Sequence, residues 1–212
     1  MTTLLNASDI ALLDNFAADP QCAEMAQRTR AWWQATRDDG PRFATWLQKQ
    51  LHGERTAATR ILWLRDHSLP RNQQGSHDSV GDRRAWQILS VIAAQEQLHA
   101  DWVAELLRVR DIAPTRDDHV DRYWQQTLIS TPPQSFSEAC AVGAHAERMR
   151  LLRIETIVAD AQSPADVRAT FARILGQERF HARAFAALAG PAALRSRQAD
   201  HLRGARWLGL LP

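Results

Sequence analysis

Two short motifs occur twice along this chain of 212 residues, each time in the same order. His52-Gly53-Glu54-Arg55 precedes Gln95-Glu96-Gln97-Leu98-His99, and His145-Ala146-Glu147-Arg148 precedes Gln177-Glu178-Arg179-Phe180-His181. Reduced to side chains that bind metal ions, the chain reads Glu, Glu-x-x-His, Glu, Glu-x-x-His. Carboxylates with a few imidazoles and no thiolates suit iron or manganese better than structural zinc. The repeated pattern therefore predicts a site for two metal ions.

The spacing within each motif explains how one site could collect these side chains. Residues i and i+3 of a helix project from the same face, so each Glu-x-x-His aims a carboxylate and an imidazole at one point. Two further helices would each add one inward carboxylate. The predicted metal ligands are Glu54, Glu96, His99, Glu147, Glu178 and His181. The alternative, that these residues lie on solvated helix faces, does not explain why the flanking residues also repeat.

Four buried carboxylates would be very costly without cations, and two divalent ions would offset that charge. Ligand histidines must be neutral, and a neighbouring group has to orient their second ring nitrogen. Four residues that adjoin the predicted ligands are candidates for steadying the neighbouring carboxylates: Arg55, Gln95, Arg148 and Gln177.

The elements that would carry these residues are helices, because Ala, Leu, Arg and Gln dominate the long segments. Four long helices are predicted, over about 42–67, 82–111, 135–160 and 163–189, after shorter ones over 9–18 and 21–37. Asp82 is expected to cap the second, Ser135 and Glu138 to form a capping box on the third, and Gly190-Pro191 to end the fourth. A long, proline-containing connection separates the second from the third and could hold a short helix over about 118–128.

This order predicts an all-α four-helix bundle with a long crossover. We expect one domain over residues 1–212, with an N-terminal helical extension (1–40), the metal-binding bundle (about 42–190) and a C-terminal tail (191–212). His201 in that tail is expected to be solvated.

Bulk composition narrows the class of protein. The formal net charge of +2 is too small to indicate a polyanionic partner, which argues against nucleic acid. No run approaches the roughly 20 apolar residues of a membrane span. Two cysteines, no C-x-x-C pair and no basic leader followed by an apolar run indicate a reduced, cytoplasmic setting.

With Glu54, Glu96-x-x-His99, Glu147 and Glu178-x-x-His181 in this order, the chain resembles the ferritin-like di-iron carboxylate superfamily over about residues 42–189. The resemblance implies a ferritin-like bundle that holds two iron ions. It also implies that Glu96 and Glu178 bridge the two ions, while Glu54 and Glu147 are terminal ligands. Manganese or a mixed manganese–iron pair would suit the same ligands.

Several features of the chain differ from known members of the superfamily and indicate which of its subfamilies the chain resembles less. The chain has no rubredoxin-like cysteine module, unlike a complete rubrerythrin. Its single tyrosine, Tyr123, lies in the crossover, whereas a ribonucleotide reductase small subunit needs a tyrosine beside the metals. About forty residues before the bundle and about twenty after it could shape a substrate pocket, which favours an enzyme over a storage cage.

The resemblance thus implies a dioxygen-activating oxidase or oxygenase that acts on a small organic substrate. Its electrons would come from an external reductase or ferredoxin, and the protein is expected to be a monomer or homodimer. Three alternatives stay open at the level of sequence. One is a ferroxidase or another iron-handling protein, and a second is a metal-binding relic without turnover. The third is a tRNA-modifying hydroxylase, to which the segment from Glu147 to His181 is slightly similar.

Overall fold

The computed structural model describes residues 21–69, 79–115 and 132–212. These ranges contain helices and no strand, in the order α1 (Gln21–Arg37), α2 (Gly40–Ser68), α3 (Val80–Val109), α4 (Phe136–Ala159), α5 (Ala165–Ser196) and α6 (Gln198–Trp207). The predicted all-α, ferritin-like four-helix bundle with additional helices is confirmed. The short helices predicted over 9–18 and 118–128 fall outside the described residues.

The bundle consists of two helix pairs. α2 packs along α3, and α4 packs along α5. A connection of only five residues joins α4 to α5, so the two helices of this pair must run antiparallel. α1 lies against α2 and α4, and α6 lies against α4 and α5. No described helix is both long and apolar enough to span a membrane.

Two apolar layers lie on either side of the predicted ligands along the bundle. One layer includes Leu51, Val103, Ile154 and Ile174. The other includes Ile61, Ala93, Ala144 and Phe185. On each of the four helices, the candidate ligands lie in sequence between the residue named from one layer and the residue named from the other. The polar side chains therefore lie in a band inside the bundle that close-packed layers hold in place from both ends.

The first described helix is fixed to the end of the bundle by a buried tryptophan. Trp33 is fully buried, and its indole Nε1 donates a hydrogen bond to Ser163 Oγ at 2.9 Å. The Ser163 hydroxyl donates in turn to the carbonyl of Ile157 at 2.7 Å. The Trp33 ring also packs edge-on against the ring of Trp46 on α2, with ring centroids 5.0 Å apart. Aromatic packing and a satisfied indole N–H together hold α1 against α2 and the α4–α5 turn.

Helix ends agree with the predictions in part. Ser135 caps α4 as predicted, since its Oγ accepts a hydrogen bond from the Glu138 amide at 3.2 Å. The return bond of the predicted capping box differs, because Glu138 Oε2 accepts from the Gln134 amide at 2.8 Å. The cap of α3 is Ser79 and not Asp82, since Ser79 Oγ accepts from the Asp82 amide at 2.9 Å. Asp82 lies in the first turn, where a carboxylate favours the helix N-terminus. Gly190 adopts φ 72° and interrupts α5 where a stop was predicted, but the chain resumes helix to Ser196.

The prediction that His201 is solvated is wrong. Its side chain is buried and stacks on His145 of α4 with ring centroids 4.5 Å apart. Burial, together with nearby His145 and Arg148, lowers the pKa of His201 to about 3. His145 also reaches the carbonyl of Leu194 on α5, with its Nε2 at 3.1 Å. This histidine pair therefore joins α6 and the end of α5 to α4.

Candidate metal centre

The structure brings all six predicted ligands together inside the bundle. They form two overlapping groups whose potential ligand atoms lie within 4.8 Å of one another in each group. The first group contains Glu54, Glu96, His99 and Glu178, and the second contains Glu96, Glu147, Glu178 and His181. Only Glu96 and Glu178 belong to both. Four helices thus provide two adjacent groups of potential metal ligands that share two carboxylates.

The two imidazoles face these carboxylates in matching ways. His99 Nδ1 lies 3.1 Å from Glu178 Oε1, and His181 Nδ1 lies 3.1 Å from Glu96 Oε1. Each Nδ1 also lies 3.7 Å from an oxygen of the glutamate one turn earlier on the same helix, Glu96 Oε2 for His99 and Glu178 Oε2 for His181. Each Nδ1 therefore points at the carboxylate of the opposite Glu-x-x-His motif, which places α3 and α5 in a nearly symmetric relation.

The outer nitrogen of each histidine meets a glutamine from the opposite helix. His99 Nε2 lies 2.7 Å from Gln177 Oε1, and His181 Nε2 lies 2.9 Å from Gln95 Oε1. An amide oxygen can only accept, so Nε2–H is the donor and the inward Nδ1 is available as a ligand atom in the neutral ring. Both glutamines were expected to steady carboxylates, whereas the structure places their amide oxygens against imidazoles.

Arg150 contacts the cluster, although it was not among the residues predicted from the sequence. Arg150 contacts Glu54 through its Nη2, and its Nε lies 3.1 Å from Glu178 Oε1. Arg55 is solvent-exposed, because consecutive helical residues point about 100° apart. Arg148 lies near the His145–His201 pair instead. The signal for Arg150 was its position three residues after Glu147, on the same face of α4.

Many polar atoms of the cluster are buried without a hydrogen-bond partner. They are Glu54 Oε2, Glu147 Oε2, both carboxylate oxygens of Glu96 and Glu178, and Nδ1 of His99 and His181. Each such atom would carry a desolvation cost of about 1–3 kcal/mol, and more where it is charged. All are lone-pair donors from oxygen or imidazole nitrogen that converge on one place, so the residues fit a pair of divalent cations.

The pKa values of the metal-free cluster also indicate that its buried carboxylates are stabilised by nearby positive charge. Burial and the nearby Glu178 and Glu96 charges raise the pKa of Glu147 well above its ordinary value. Burial opposes ionisation of Glu178 too, but Arg150 and the two histidines lower its pKa well below the usual range. Burial would lower the pKa of His99, yet the facing carboxylates of Glu178 and Glu96 raise it to about 10. The pKa of His181 is raised for the same reasons.

Metal uptake at pH 7 is therefore expected to release protons. His99 loses one, and the raised pKa values of His181 and Glu147 add to the release. Because protons and metal ions compete, metal affinity should rise steeply with pH in the neutral range. Calorimetric titration with Fe(II) under anaerobic conditions, in buffers with different ionisation enthalpies, measures the number released. Metal uptake without proton release would contradict this electrostatic account.

The cluster approaches solvent at one residue only. Glu54, Glu96, His99, Glu178 and His181 have no exposed surface, whereas Glu147 is 7% exposed. Glu147 and Arg150 line a cavity of about 990 Å³ that runs between α1, α2, α4 and the end of α6. Among the described residues, this is the side from which a small molecule could reach the carboxylates.

A helical bundle with two inward Glu-x-x-His motifs and two further inward glutamates defines a ferritin-like carboxylate protein. Residues 84–189, half of the chain, match the family model described as Rubrerythrin, and the chain belongs to this family. The rubrerythrin family binds di-iron, and the buried cluster is compatible with a metal site. No curated protein and no solved structure gives a significant match. Glu54 lies before the matched residues, so its place in the cluster depends on the geometry alone.

Replacing Gln177 by leucine is expected to weaken iron binding about 10–100-fold, the usual effect of losing a partner that orients a metal-binding histidine. The substitution also leaves the buried His99 Nε2–H without its partner, so the free energy of unfolding of the metal-free protein should fall by about 1–3 kcal/mol. Equilibrium dialysis with Fe(II) measures the affinity. Gln97→Leu, on an exposed position of α3, is the matched control. Equal affinities of the two variants would exclude an orienting role for Gln177.

Proposed function

We propose that this chain binds two iron ions at Glu54, Glu96, His99, Glu147, Glu178 and His181. We further propose that it uses them to oxidise a small organic substrate with dioxygen. The observation that supports the dinuclear site is the pair of overlapping ligand groups that share Glu96 and Glu178. The unpartnered ligand atoms in both groups point to the same conclusion.

Each side chain has a definite task in this proposal. Glu96 and Glu178 would face both ions, while Glu54 with His99 and Glu147 with His181 would each serve one. Two ferrous ions held there would supply electrons and a binding place for dioxygen. Gln177 and Gln95 hold the imidazole rings in the orientation that turns Nδ1 inward. The apolar layers above and below the cluster exclude water from it.

Iron is the metal that the family membership supports, and nothing in the match supports manganese. The ligand set itself accepts either metal, because both prefer carboxylates with a few imidazoles. The proposal therefore takes the metal from the family and the positions of the ions from the geometry.

The cavity beside Glu147 supports an organic substrate over iron storage. Its volume of about 990 Å³ is at the upper end of what small-molecule sites occupy. A storage protein needs a path for iron ions and has no use for a large chamber partly walled by aromatic side chains. Electrons for repeated turnover would come from an external donor, since the described residues hold no thiolate cluster that could serve as one.

The test is to load the protein with Fe(II) anaerobically, admit dioxygen, and follow oxygen consumption, iron retention and particle size together. The proposal predicts that oxygen uptake depends on an added reductant, that about two irons stay bound per chain, and that the protein remains a monomer or dimer. Accumulation of many irons per chain in a large assembly would favour iron handling instead. Two bound irons without oxygen uptake, with or without reductant, would leave a metal-binding protein without this activity.

A further inference from the structure

The cavity beside the cluster carries more positive than negative charge. It follows α2 from Arg42 to Arg60, which at 1.5 Å per residue is about 27 Å. The cationic side chains of its wall are Arg42, Lys49, Arg60, Arg150 and Arg153, and the carboxylates are Asp39 and Glu147. Both carboxylates have other tasks. Asp39 caps α2 by accepting from the Arg42 amide at 3.0 Å, and Glu147 belongs to the proposed metal centre.

Two of these cations have no carboxylate to neutralise them within the described ranges. Arg42 and Lys49 are exposed, they lie seven residues apart on one face of α2, and neither side chain forms an ion pair with a described residue. A concave wall with excess charge of one sign concentrates ions of the opposite sign. The cavity therefore favours an anionic guest.

The same wall carries aromatic side chains. Trp32 is half-buried, and the guanidinium of Arg153 lies over its ring at 4.8 Å. Trp46 also lines the cavity, and its ring meets that of Trp32 edge-on with centroids 6.3 Å apart. Trp207, near the end of α6, lines the cavity and is 55% exposed. Flat apolar rings beside cations suit a ligand that combines a planar apolar body with a negative charge.

We propose that this cavity binds an organic anion, a carboxylate or phosphate ester on a flat apolar body, with its charge at Arg42 and Lys49 and its body against the tryptophans. This inference rests on the proposed function for the role of the anion as substrate, because the cavity wall includes Glu147 of the proposed metal centre. The binding itself depends only on the cavity.

The chain offers a specific probe, because Lys49 is its only lysine. Reductive methylation with ¹³C-formaldehyde keeps the positive charge and labels Lys49 and the terminal amine only. The label is followed by NMR during titration with benzoate, phenyl phosphate, neutral benzyl alcohol and inorganic phosphate. We expect benzoate or phenyl phosphate to shift the Lys49 signal saturably, and the stronger of the two identifies the anionic group. Benzyl alcohol and inorganic phosphate should each bind at least about tenfold more weakly.

Variants locate the binding. Arg42→Gln should weaken binding of the preferred anion about tenfold, and Trp207→Ala about fivefold, whereas exposed Arg30→Gln on α1 should leave it unchanged. Benzyl alcohol binding as tightly as the anions would overturn the proposal. So would inorganic phosphate binding as tightly as phenyl phosphate, which would indicate an adventitious ion only. The absence of any saturable shift would also overturn it.

Each titration is made on iron-loaded and on chelated protein, with iron content measured in the same samples. If the protein retains no iron after loading but still binds the aromatic anion, the cavity proposal is supported and the proposed metal function fails. Two bound irons without anion binding would overturn the cavity proposal while the metal centre stands.

Discussion

Replacing Glu178 by alanine is expected to reduce bound iron from about two per chain to almost none. Glu178 belongs to both ligand groups, so each ion would lose one of its few anionic ligands. Its loss also leaves Arg150 with one carboxylate partner, Glu54, and removes the carboxylate nearest to His99 Nδ1. We expect the affinity for each ion to fall by more than about a hundredfold, the upper limit seen when only an orienting partner is lost. Iron per chain is measured after anaerobic loading and gel filtration.

Three further variants make this result specific. Glu54→Ala and Glu147→Ala each remove a ligand of one group only, so each should retain close to one iron per chain. Glu155→Ala removes an exposed carboxylate of α4 that pairs with Arg179 at 3.0 Å, and it should retain both ions. If Glu178→Ala kept two irons, or lost no more than Glu54→Ala does, Glu178 would not be shared between the ions.

Replacing Glu147 by glutamine is expected to change stability in opposite directions with and without iron. In the metal-free protein the pKa of Glu147 is raised above its ordinary value of 4.5, because the carboxyl is buried among other carboxylates. A carboxyl with a raised folded-state pKa destabilises the fold above pH 4.5, and the cost grows by about 1.4 kcal/mol per pH unit up to the folded-state pKa. The glutamine variant should therefore be more stable than the parent at pH 7, and the difference should shrink as the pH falls and vanish near pH 4.

In the iron-loaded protein the same substitution removes a ligand and should lower the free energy of unfolding relative to the parent. Chemical denaturation at pH 4 and pH 7, with chelator and with excess Fe(II) under anaerobic conditions, measures all of these differences. Glu155→Gln should show neither the pH dependence nor the reversal, since Glu155 is exposed on the same helix. Destabilisation of the metal-free protein at pH 7 by Glu147→Gln would contradict the raised pKa and the crowding of carboxylates.

The sequence identified the groups that meet in the centre because helical geometry is periodic and local. Glu96 with His99 and Glu178 with His181 share a face at any orientation of their helices. The apolar residues on both sides of them require that face to turn inward. The same periodicity predicts the long helices, and the proline-containing connection predicts the crossover between the two pairs.

Features that depend on contacts between helices could not be predicted in this way. The pairing of Gln177 with His99 joins residues 78 positions apart, and only the packing of α3 against α5 decides it. Arg150 reaches Glu54 across the bundle from α4 to α2 for the same kind of reason. His201 was expected in solvent because a short basic tail gives no periodic signal, whereas its burial comes from stacking on His145.

The most direct test of the central claim is anomalous diffraction at the iron edge from crystals loaded anaerobically with Fe(II). The proposal predicts two peaks inside the bundle, about 3.5–4 Å apart as in other dinuclear sites. One peak should lie beside Glu54 and His99, the other beside Glu147 and His181, with Glu96 and Glu178 between them. A single peak, peaks away from these residues, or no anomalous signal in the bundle would contradict a dinuclear centre in this protein.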